Sequence, residues 1–362
     1  MELDEKKKEV FSGRLVEILN HGALNLALGM GYELEIFEAL EAAPSPLTAE
    51  ELARAAGLHP RYVREWLGIM VTGDIVDLHA EEGEADRYSL PPEHAASLTR
   101  NAGAGNMGVY TQEIPLLTRI ASQAVTQDFR DGQGVPFSAY PKFQDFMGEL
   151  SDAKHADVLV QHFLPGVDNG KLVEELEAGI RVCDLGCGQG FALELMAKAY
   201  PNSTFTGLDN DGPSIEVAKK REAGLSNLEF VRADAAALIG DQAWKDRFDY
   251  ITAFDAIHDQ CRPLEALESV VHMLAPGGHF SMVDIDARTS HAGNMSHPMA
   301  PFLYTVSLLH CMPQGLCDNG LGLGMMWGRE RAVALLEEAG FSQVELCEME
   351  HDSFNLHYFC RV

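Results

Sequence analysis

Basic residues are scarce in this chain, and this shortage limits its partners. Lysine and arginine number 27 against 55 aspartate and glutamate residues, which gives a formal net charge of -28. Such a surface repels phosphate backbones and anionic membranes at long range. We therefore expect neither nucleic acid nor a membrane among its partners.

Long apolar runs are also missing. No uncharged apolar stretch reaches the ~18 residues that a membrane-spanning helix requires. Residues 1–8 are mostly charged and lack the apolar core of a signal peptide. We expect a cytoplasmic protein.

The cysteines are not spaced as they are in disulfide-rich domains or zinc sites. The chain has seven, and no two of them form a CxxC pair. This pattern indicates neither a disulfide framework nor a zinc site, so we predict no metal. Cys261, Cys311 and Cys317 leave open a thiol or arsenic substrate, although cysteines are commonly small buried apolar residues.

The remaining composition is that of a globular protein with more than one domain. Hydrophobic residues make up 46% and charged residues 23% of the 362 positions, and a chain of this length suits two domains of ~100–200 residues. We predict a winged-helix, dimerisation domain over residues 1–95, a helical connector and pocket lid over 96–170, and an α/β domain over 171–362.

The winged-helix prediction depends on local signals. Apolar residues recur at helical spacing over 11–42, and Gly29 and Gly31 predict two helices that meet at a glycine break. Thr48 and Glu51 form a capping box that opens a short helix. A second helix over 60–72 and two short strands near 75–78 and 87–90 complete the order helix, helix, wing.

The last domain shows short apolar runs that alternate with helical segments, which predicts βαβ units and a mostly parallel sheet. Its last two strands are separated only by residues 350–353, too few for a crossover helix, so they should pair antiparallel. The predicted fold class is α/β, a Rossmann-like sheet of seven strands with an antiparallel last strand, preceded by the mainly α winged-helix domain. The strands are expected near 180–185, 204–209, 228–232, 248–254, 279–285, 343–349 and 355–361.

A glycine-rich turn joins the first of these strands to a helix. Gly186, Gly188 and Gly190 follow the strand, and glycines there let a ligand approach backbone N–H groups at a helix N-terminus. The third glycine falls one position too early for the dinucleotide spacing GxGxxG. Asp184, two residues before the first glycine, suits a ligand with an ammonium group. These features favour S-adenosylmethionine (SAM) over NAD.

Acidic residues after the next two strands agree with this interpretation. Asp209 ends the second strand, where a carboxylate can accept both ribose hydroxyls. Asp234 follows the third strand, where it can accept from an adenine amino group while Ala235 leaves room for the ring. The predicted cofactor-binding residues are Asp184, Gly186, Cys187, Gly188, Gly190, Asp209, Asn210, Asp234, Ala235 and Phe254.

With these motifs in this order, residues 180–285 resemble the class I SAM-dependent methyltransferases. Together with the winged helix, the whole chain is similar to a largely uncharacterised group of winged-helix methyltransferases found in mycobacteria and other organisms. The resemblance implies SAM as the cofactor and a small-molecule methyl acceptor.

His258 is the candidate general base. Ligands of open α/β sheets lie beyond the carboxyl ends of the strands, and the fourth strand leads directly into this residue. A histidine with an ordinary pKa of ~6.5 can take a hydroxyl proton at physiological pH. Residues 257–259 resemble the histidine-aspartate pair of plant-type small-molecule O-methyltransferases, in which the histidine is the base. Asp284 or Asp286 could orient it.

Alternatives to these roles remain open. His258 could instead cap a helix or support another residue, and Asp259, Asp284 and Asp286 could form a divalent metal site. The insertion over 290–327 is rich in aromatic residues and methionine, which suits either an apolar substrate pocket or an ordinary core.

The winged helix also has two interpretations. In small-molecule O-methyltransferases the same module joins two subunits, which implies a homodimer. Arg61 and Tyr62 lie on the helix that would enter a major groove, so a SAM-binding transcriptional regulator is a rival function. The net charge and the acidic wing tip weigh against DNA. A third hypothesis is a protein that binds SAM without turnover.

Overall fold

The structure is a computed structural model that describes residues 3–140 and 143–362. It divides into two compact units, residues 1–116 and 117–362. The domain boundaries predicted at 95 and 170 stay predictions.

The first unit contains five helices and a two-stranded wing within its described part. The helices are α1 (Glu5–Glu33), α2 (Ile36–Glu41), α3 (Ala49–Ala55), α4 (Pro60–Thr72) and α5 (Pro92–Leu98). The wing strands β1 (Asp77–His79) and β2 (Arg87–Ser89) pair antiparallel. Thr48 and Glu51 make the predicted capping box at the start of α3.

The predicted glycine break in the first helix is wrong. α1 continues through Gly29 and Gly31 and ends only where Glu35 turns to a φ of 56°. Both glycines permit close packing: a Cβ on Gly29 would lie 2.6 Å from the Thr111 carbonyl oxygen, and one on Gly31 would lie 2.5 Å from the Trp66 ring. Glycine here serves the contact between elements rather than a bend.

The second unit is an α/β fold built on one sheet of seven strands. The sheet order is β5-β4-β3-β6-β7-β9-β8. Strands β3 to β7 pair parallel, and β9 runs antiparallel to both of its neighbours. This confirms the predicted sheet. The strands are β3 (Arg181–Leu185), β4 (Thr204–Asp209), β5 (Leu228–Arg232), β6 (Phe248–Phe254), β7 (Leu274–Ile285), β8 (Gln343–Glu348) and β9 (Asn355–Arg361).

Strand β7 begins earlier than the sequence predicts. Leu274 pairs with Phe248, and the register then shifts before Tyr250 meets His279. Gly277, with a φ of 81°, lies in the irregular stretch between these two pairings. Gly277 and Gly278 therefore lie within the strand.

Helices pack against both faces of this sheet, and others lie elsewhere in the chain after residue 112. They are α6 (Glu113–Asp131), α7 (Phe143–Val158), α8 (Leu164–Gly166), α9 (Lys171–Ala178), α10 (Phe191–Ala199), α11 (Gly212–Ala218), α12 (Pro263–Met273), α13 (Ala300–Val306), α14 (Met312–Gly315) and α15 (Arg329–Ala339). Two buried apolar clusters pack against the strands. A cavity opens at the carboxyl ends of the parallel strands.

Candidate active site

The glycine-rich turn after β3 forms one wall of this cavity. The backbone N–H groups of Gly186 and Cys187 donate to the Leu208 carbonyl oxygen at 2.8 and 3.0 Å. Gly190 has a φ of 79°, and a Cβ there would collide with the Phe230 ring. The turn thus needs glycine both for its left-handed backbone and for its fit against Phe230 of β5.

The cavity has a volume of about 380 Å³. All of the predicted cofactor residues except Asp234 line it. The Asp234 carboxylate instead accepts from the Ala236 backbone N–H at 3.0 Å and pairs with Arg262 at 2.6 Å. The structure therefore brings the loop residues, Asp209, Asn210, Ala235 and Phe254 together, and places Asp234 outside.

Two carboxylates lie at the loop end of the cavity, Asp184 buried and Asp209 half-buried. Burial raises the pKa of Asp184 to about 7, against the lowering effect of a 2.7 Å hydrogen bond from the Thr252 hydroxyl. Burial also raises the pKa of Asp209, which accepts from the Gly188 backbone N–H at 2.8 Å. A buried carboxylate is costly unless it meets a cation or hydrogen-bond donors. This end of the cavity therefore favours a ligand that supplies both.

His258 and Asp284 meet as the sequence suggests. His258 Nδ1 lies 2.8 Å from Asp284 Oδ1, and both side chains are buried. Asp259 lies on the other side of the ring, with Oδ1 3.5 Å from His258 Nε2. Burial alone would lower the pKa of His258, but the two carboxylates outweigh it and raise that pKa well above its ordinary value. The two acids on either side of the ring therefore favour its protonated form.

Asp259 lines the cavity, whereas His258 lies behind it and does not. His258 is 2% exposed. Asp286, the other acid considered for an orienting role, forms an ion pair with Arg329 and does not contact the histidine. Of the two acids at the end of β7, Asp284 alone can orient the ring.

The insertion after β7 contributes to the cavity through a few residues only. His310, Gln314, Cys317 and Asp318 line it, whereas the methionines and the tryptophan of that insertion do not. Met326 and Trp327 instead pack into buried apolar clusters. For those side chains the core interpretation is the correct one.

Helix α7 supplies lining residues that the sequence analysis missed. Lys154 pairs with Asp255 at 3.0 Å, and the His155 ring packs edge-on against Phe254 at 4.9 Å between centroids. Both side chains line the cavity. Their helix has no motif, so sequence spacing offered no signal beyond its position before the sheet.

One group of side chains has the atoms to hold a metal ion. Ligand atoms of His258, Asp259 and Cys311 lie within 4.8 Å of one another in the part of the chain that the structure describes. Burial, with the charge of Asp259, raises the pKa of the Cys311 thiol to about 12. These surroundings disfavour the thiolate that a soft metal prefers.

Two family models match the chain. Residues 176–321 match a methyltransferase domain, and residues 22–100 match an Rv2258c-like winged HTH domain. The resemblance inferred from the sequence, including the winged-helix fold, is thereby confirmed.

Curated relatives match less than a third of the chain. A phthiotriol/phenolphthiotriol dimycocerosates methyltransferase of Mycobacterium leprae is 33% identical over 108 residues, which is 30% of this chain and 38% of the relative. A fatty-acid O-methyltransferase of Mycolicibacterium smegmatis is 32% identical over 111 residues, 30% of this chain and 39% of the relative. The chain thus spans about two fifths of the length of the curated relatives it matches.

Solved structures match nearly the whole chain in fold. Human N-acetylserotonin methyltransferase in complex with SAM has a TM-score of 0.71 at 18% identity and covers 97% of both chains. The mitomycin 7-O-methyltransferase has a TM-score of 0.68 at 18% identity and covers 99% of this chain and all of the other. Separately, no helix among residues 3–140 and 143–362 is both long and apolar enough to cross a membrane.

Proposed function

We propose that this protein binds SAM and transfers its methyl group to the hydroxyl oxygen of a small-molecule acceptor. The observation that carries the proposal is the cavity at the carboxyl ends of the strands, walled by the glycine turn and by Asp184 and Asp209. The match to a methyltransferase domain, over residues 176–321, includes the glycine turn and both of these acids. SAM supplies an electrophilic methyl group when bound.

The residues at the loop end fit this cofactor. The Asp184 carboxylate is 3% exposed and can accept from an ammonium group. Asp209 has the position and the free lone pairs to accept from ribose hydroxyls. The backbone at Gly188 leaves room for the ligand, because this residue carries no Cβ and the space beside it is open.

We assign the general base to His258, oriented by Asp284 through the 2.8 Å contact at Nδ1. Nε2 can take a hydroxyl proton only in the neutral form of the ring. Asp259, which lies against Nε2, must also turn aside for an acceptor to reach it. Since its two acids hold the pKa of His258 high, activity should rise with pH into the alkaline range.

Calorimetry with SAM and its demethylated product tests cofactor binding, and a panel of phenols, amines and thiols with product detection tests transfer. His258→Ala should lower the rate on a phenol by ~10²–10⁴-fold, the usual contribution of a general base. His272→Ala is the matched control, because that side chain contacts the Asp241 carbonyl oxygen away from the cavity. Full activity of His258→Ala would remove the base assignment.

The curated relatives do not fix the acceptor. The names of two of them indicate a phthiotriol lipid and a fatty acid, which differ in their reacting groups. We propose in addition that no metal takes part, so treatment with a chelator should leave the rate unchanged. The protein is expected to act in the cytoplasm, where its seven free cysteines stay reduced.

We further propose that the protein is a homodimer joined through α1. Along its first five turns this helix exposes apolar side chains, and a solvated helix of this length does not normally carry so many. The exposed residues are Val10, Phe11, Leu15, Val16, Ile18 and Leu19. A second copy of the same helix would cover them.

A further inference from the structure

The wall of the cavity is strongly acidic. Among the described residues, Lys154 is the one lining side chain with a permanent positive charge, and it already pairs with Asp255 at 3.0 Å. The lining carboxylates are Asp152, Asp184, Asp209, Asp255, Asp259 and Asp318. Arg221 offsets the charge of Asp152, and Lys154 offsets that of Asp255. Away from the cofactor end, Asp259 and Asp318 form no salt bridge to a lysine or arginine in the described part of the chain. An acceptor that carries a carboxylate would be repelled by these two acids.

The two lining histidines do not change this balance. Burial lowers the pKa of His155 and that of His310 to about 4 in each case. Both rings are therefore neutral at physiological pH. Neither can provide the positive charge that a carboxylate needs in a buried site.

The polar atoms near Asp259 call for hydrogen-bond donors. Gln314 Oε1 and His310 Nε2 are buried and have no hydrogen-bond partner among the described residues. Gln314 Oε1 can only accept hydrogen bonds, and the same holds for the ionised Asp259 carboxylate. Unpaired buried acceptors of this kind favour a ligand with hydroxyl or amine protons.

The rest of the wall is aromatic and apolar. Phe137, Phe191 and Phe254 line the cavity together with Met147 and Leu150. Such surfaces pack well against a planar ring.

We propose that the methyl acceptor is a neutral or cationic ring compound with hydroxyl or amine donors, and that the cavity discriminates against carboxylates. This inference rests on the proposed function, because it takes this cavity as the place where the acceptor binds. It narrows the acceptor class to molecules such as phenolic amines and phenolic alcohols.

Three phenols that share a two-carbon side chain and differ in the charged or neutral group at its end test the proposal. Tyramine carries an ammonium, tyrosol a hydroxyl and 3-(4-hydroxyphenyl)propionate a carboxylate. Calorimetry at pH 7.5 with saturating S-adenosylhomocysteine should give dissociation constants for the first two that are at least about tenfold lower than for the acid, or ~1.4 kcal/mol. Equal binding, tighter binding of the acid, or binding by none of the three would overturn the inference.

A charge variant in the wall gives a second measurement. Asp318→Asn removes one lining charge at a position with a φ of 56°, which asparagine tolerates. It should narrow the gap between tyramine and the acid by about two- to fivefold, as expected for one partly screened charge. Glu216→Gln is the matched control, because Glu216 does not line the cavity. An unchanged gap in Asp318→Asn would count against the proposal.

Failure of this inference can be told from failure of the proposed function. SAM binding and methyl transfer are measured separately from the three binding constants. If SAM binds and the acid is the best acceptor, the charge argument fails and the methyltransferase stands. If SAM does not bind, the proposed function itself fails.

Discussion

Replacing Asp284 by asparagine should lower the pKa of His258 markedly. Asp284→Asn keeps the shape and an acceptor oxygen for Nδ1, which lies 2.8 Å from Oδ1 in the native protein, but removes the charge. Two unit charges ~4 Å apart interact by about 4 kcal/mol at an effective dielectric of 20. Each 1.36 kcal/mol corresponds to one pKa unit.

The observed change should be smaller than the full Coulomb energy. Asp259 remains 3.5 Å from Nε2 and still favours the imidazolium. Burial of both groups also opposes the charged pair. We expect the titration midpoint of His258 to fall by about 1 to 2 pH units.

Proton NMR of the His258 ring Cε1–H measures this midpoint without an acceptor substrate. The resonance is assigned by its loss in His258→Gln. Asp286→Asn is the matched control, since that carboxylate pairs with Arg329 rather than with the histidine. A midpoint in Asp284→Asn that equals that of the control would refute the assignment of Asp284 as the partner that charges His258.

Further expectations concern the cofactor loop, the first helix and DNA. Asp184→Asn should weaken SAM binding by about 10- to 100-fold in calorimetry, since a charged hydrogen bond is worth about 1.5–3 kcal/mol; unchanged affinity would show that this carboxylate does not meet the ammonium. Gly190→Ala should unfold at lower urea than Gly188→Ala, because both have positive φ but only a Cβ at Gly190 meets a neighbour; equal midpoints would contradict the packing argument. Leu19→Glu should halve the mass measured by light scattering, while Glu17→Lys, an exposed polar site on the same helix, should not; a monomeric native protein would exclude the dimer. Random duplex DNA at low salt should not bind; micromolar, salt-sensitive binding would favour the regulator.

The sheet was predictable because its strands are short apolar runs bounded by glycine, proline and polar turn residues. Thr204–Asp209 ends in an acid where the cavity begins, and Arg181–Leu185 has an acid, Asp184, as its last residue but one. The same reasoning failed at Gly29 and Gly31, since glycine has two uses, and sequence does not say whether a bend or a close contact selects it. In the fold, the close contacts of Gly29 with Thr111 and of Gly31 with Trp66 show that packing requires these glycines.

The site was predictable at the loop and much less so on its other walls. Asp184 and Gly186 belong to a contiguous motif, whereas Lys154 and Gln314 come from helices that only tertiary structure brings to the cavity. The pairing of His258 with Asp284 was one of two that the sequence allowed, because His258 and both acids lie near the carboxyl ends of neighbouring parallel strands. Its consequence, a histidine charged by two acids, depends on burial and distance that sequence does not contain.

Asp184 and His258, at the two ends of the cavity, must both be deprotonated for the reaction. Asp184, with its pKa raised to about 7, must lose its proton to accept from an ammonium, and His258, whose pKa lies well above 6.5, must lose its proton to act as a base. At limiting SAM both requirements apply, so the logarithm of kcat/KM for SAM should rise with pH with a slope near two below pH ~7. At saturating SAM the first requirement is already met and the slope should fall to one. A slope that is the same at low and high SAM would mean that Asp184 does not titrate in cofactor binding.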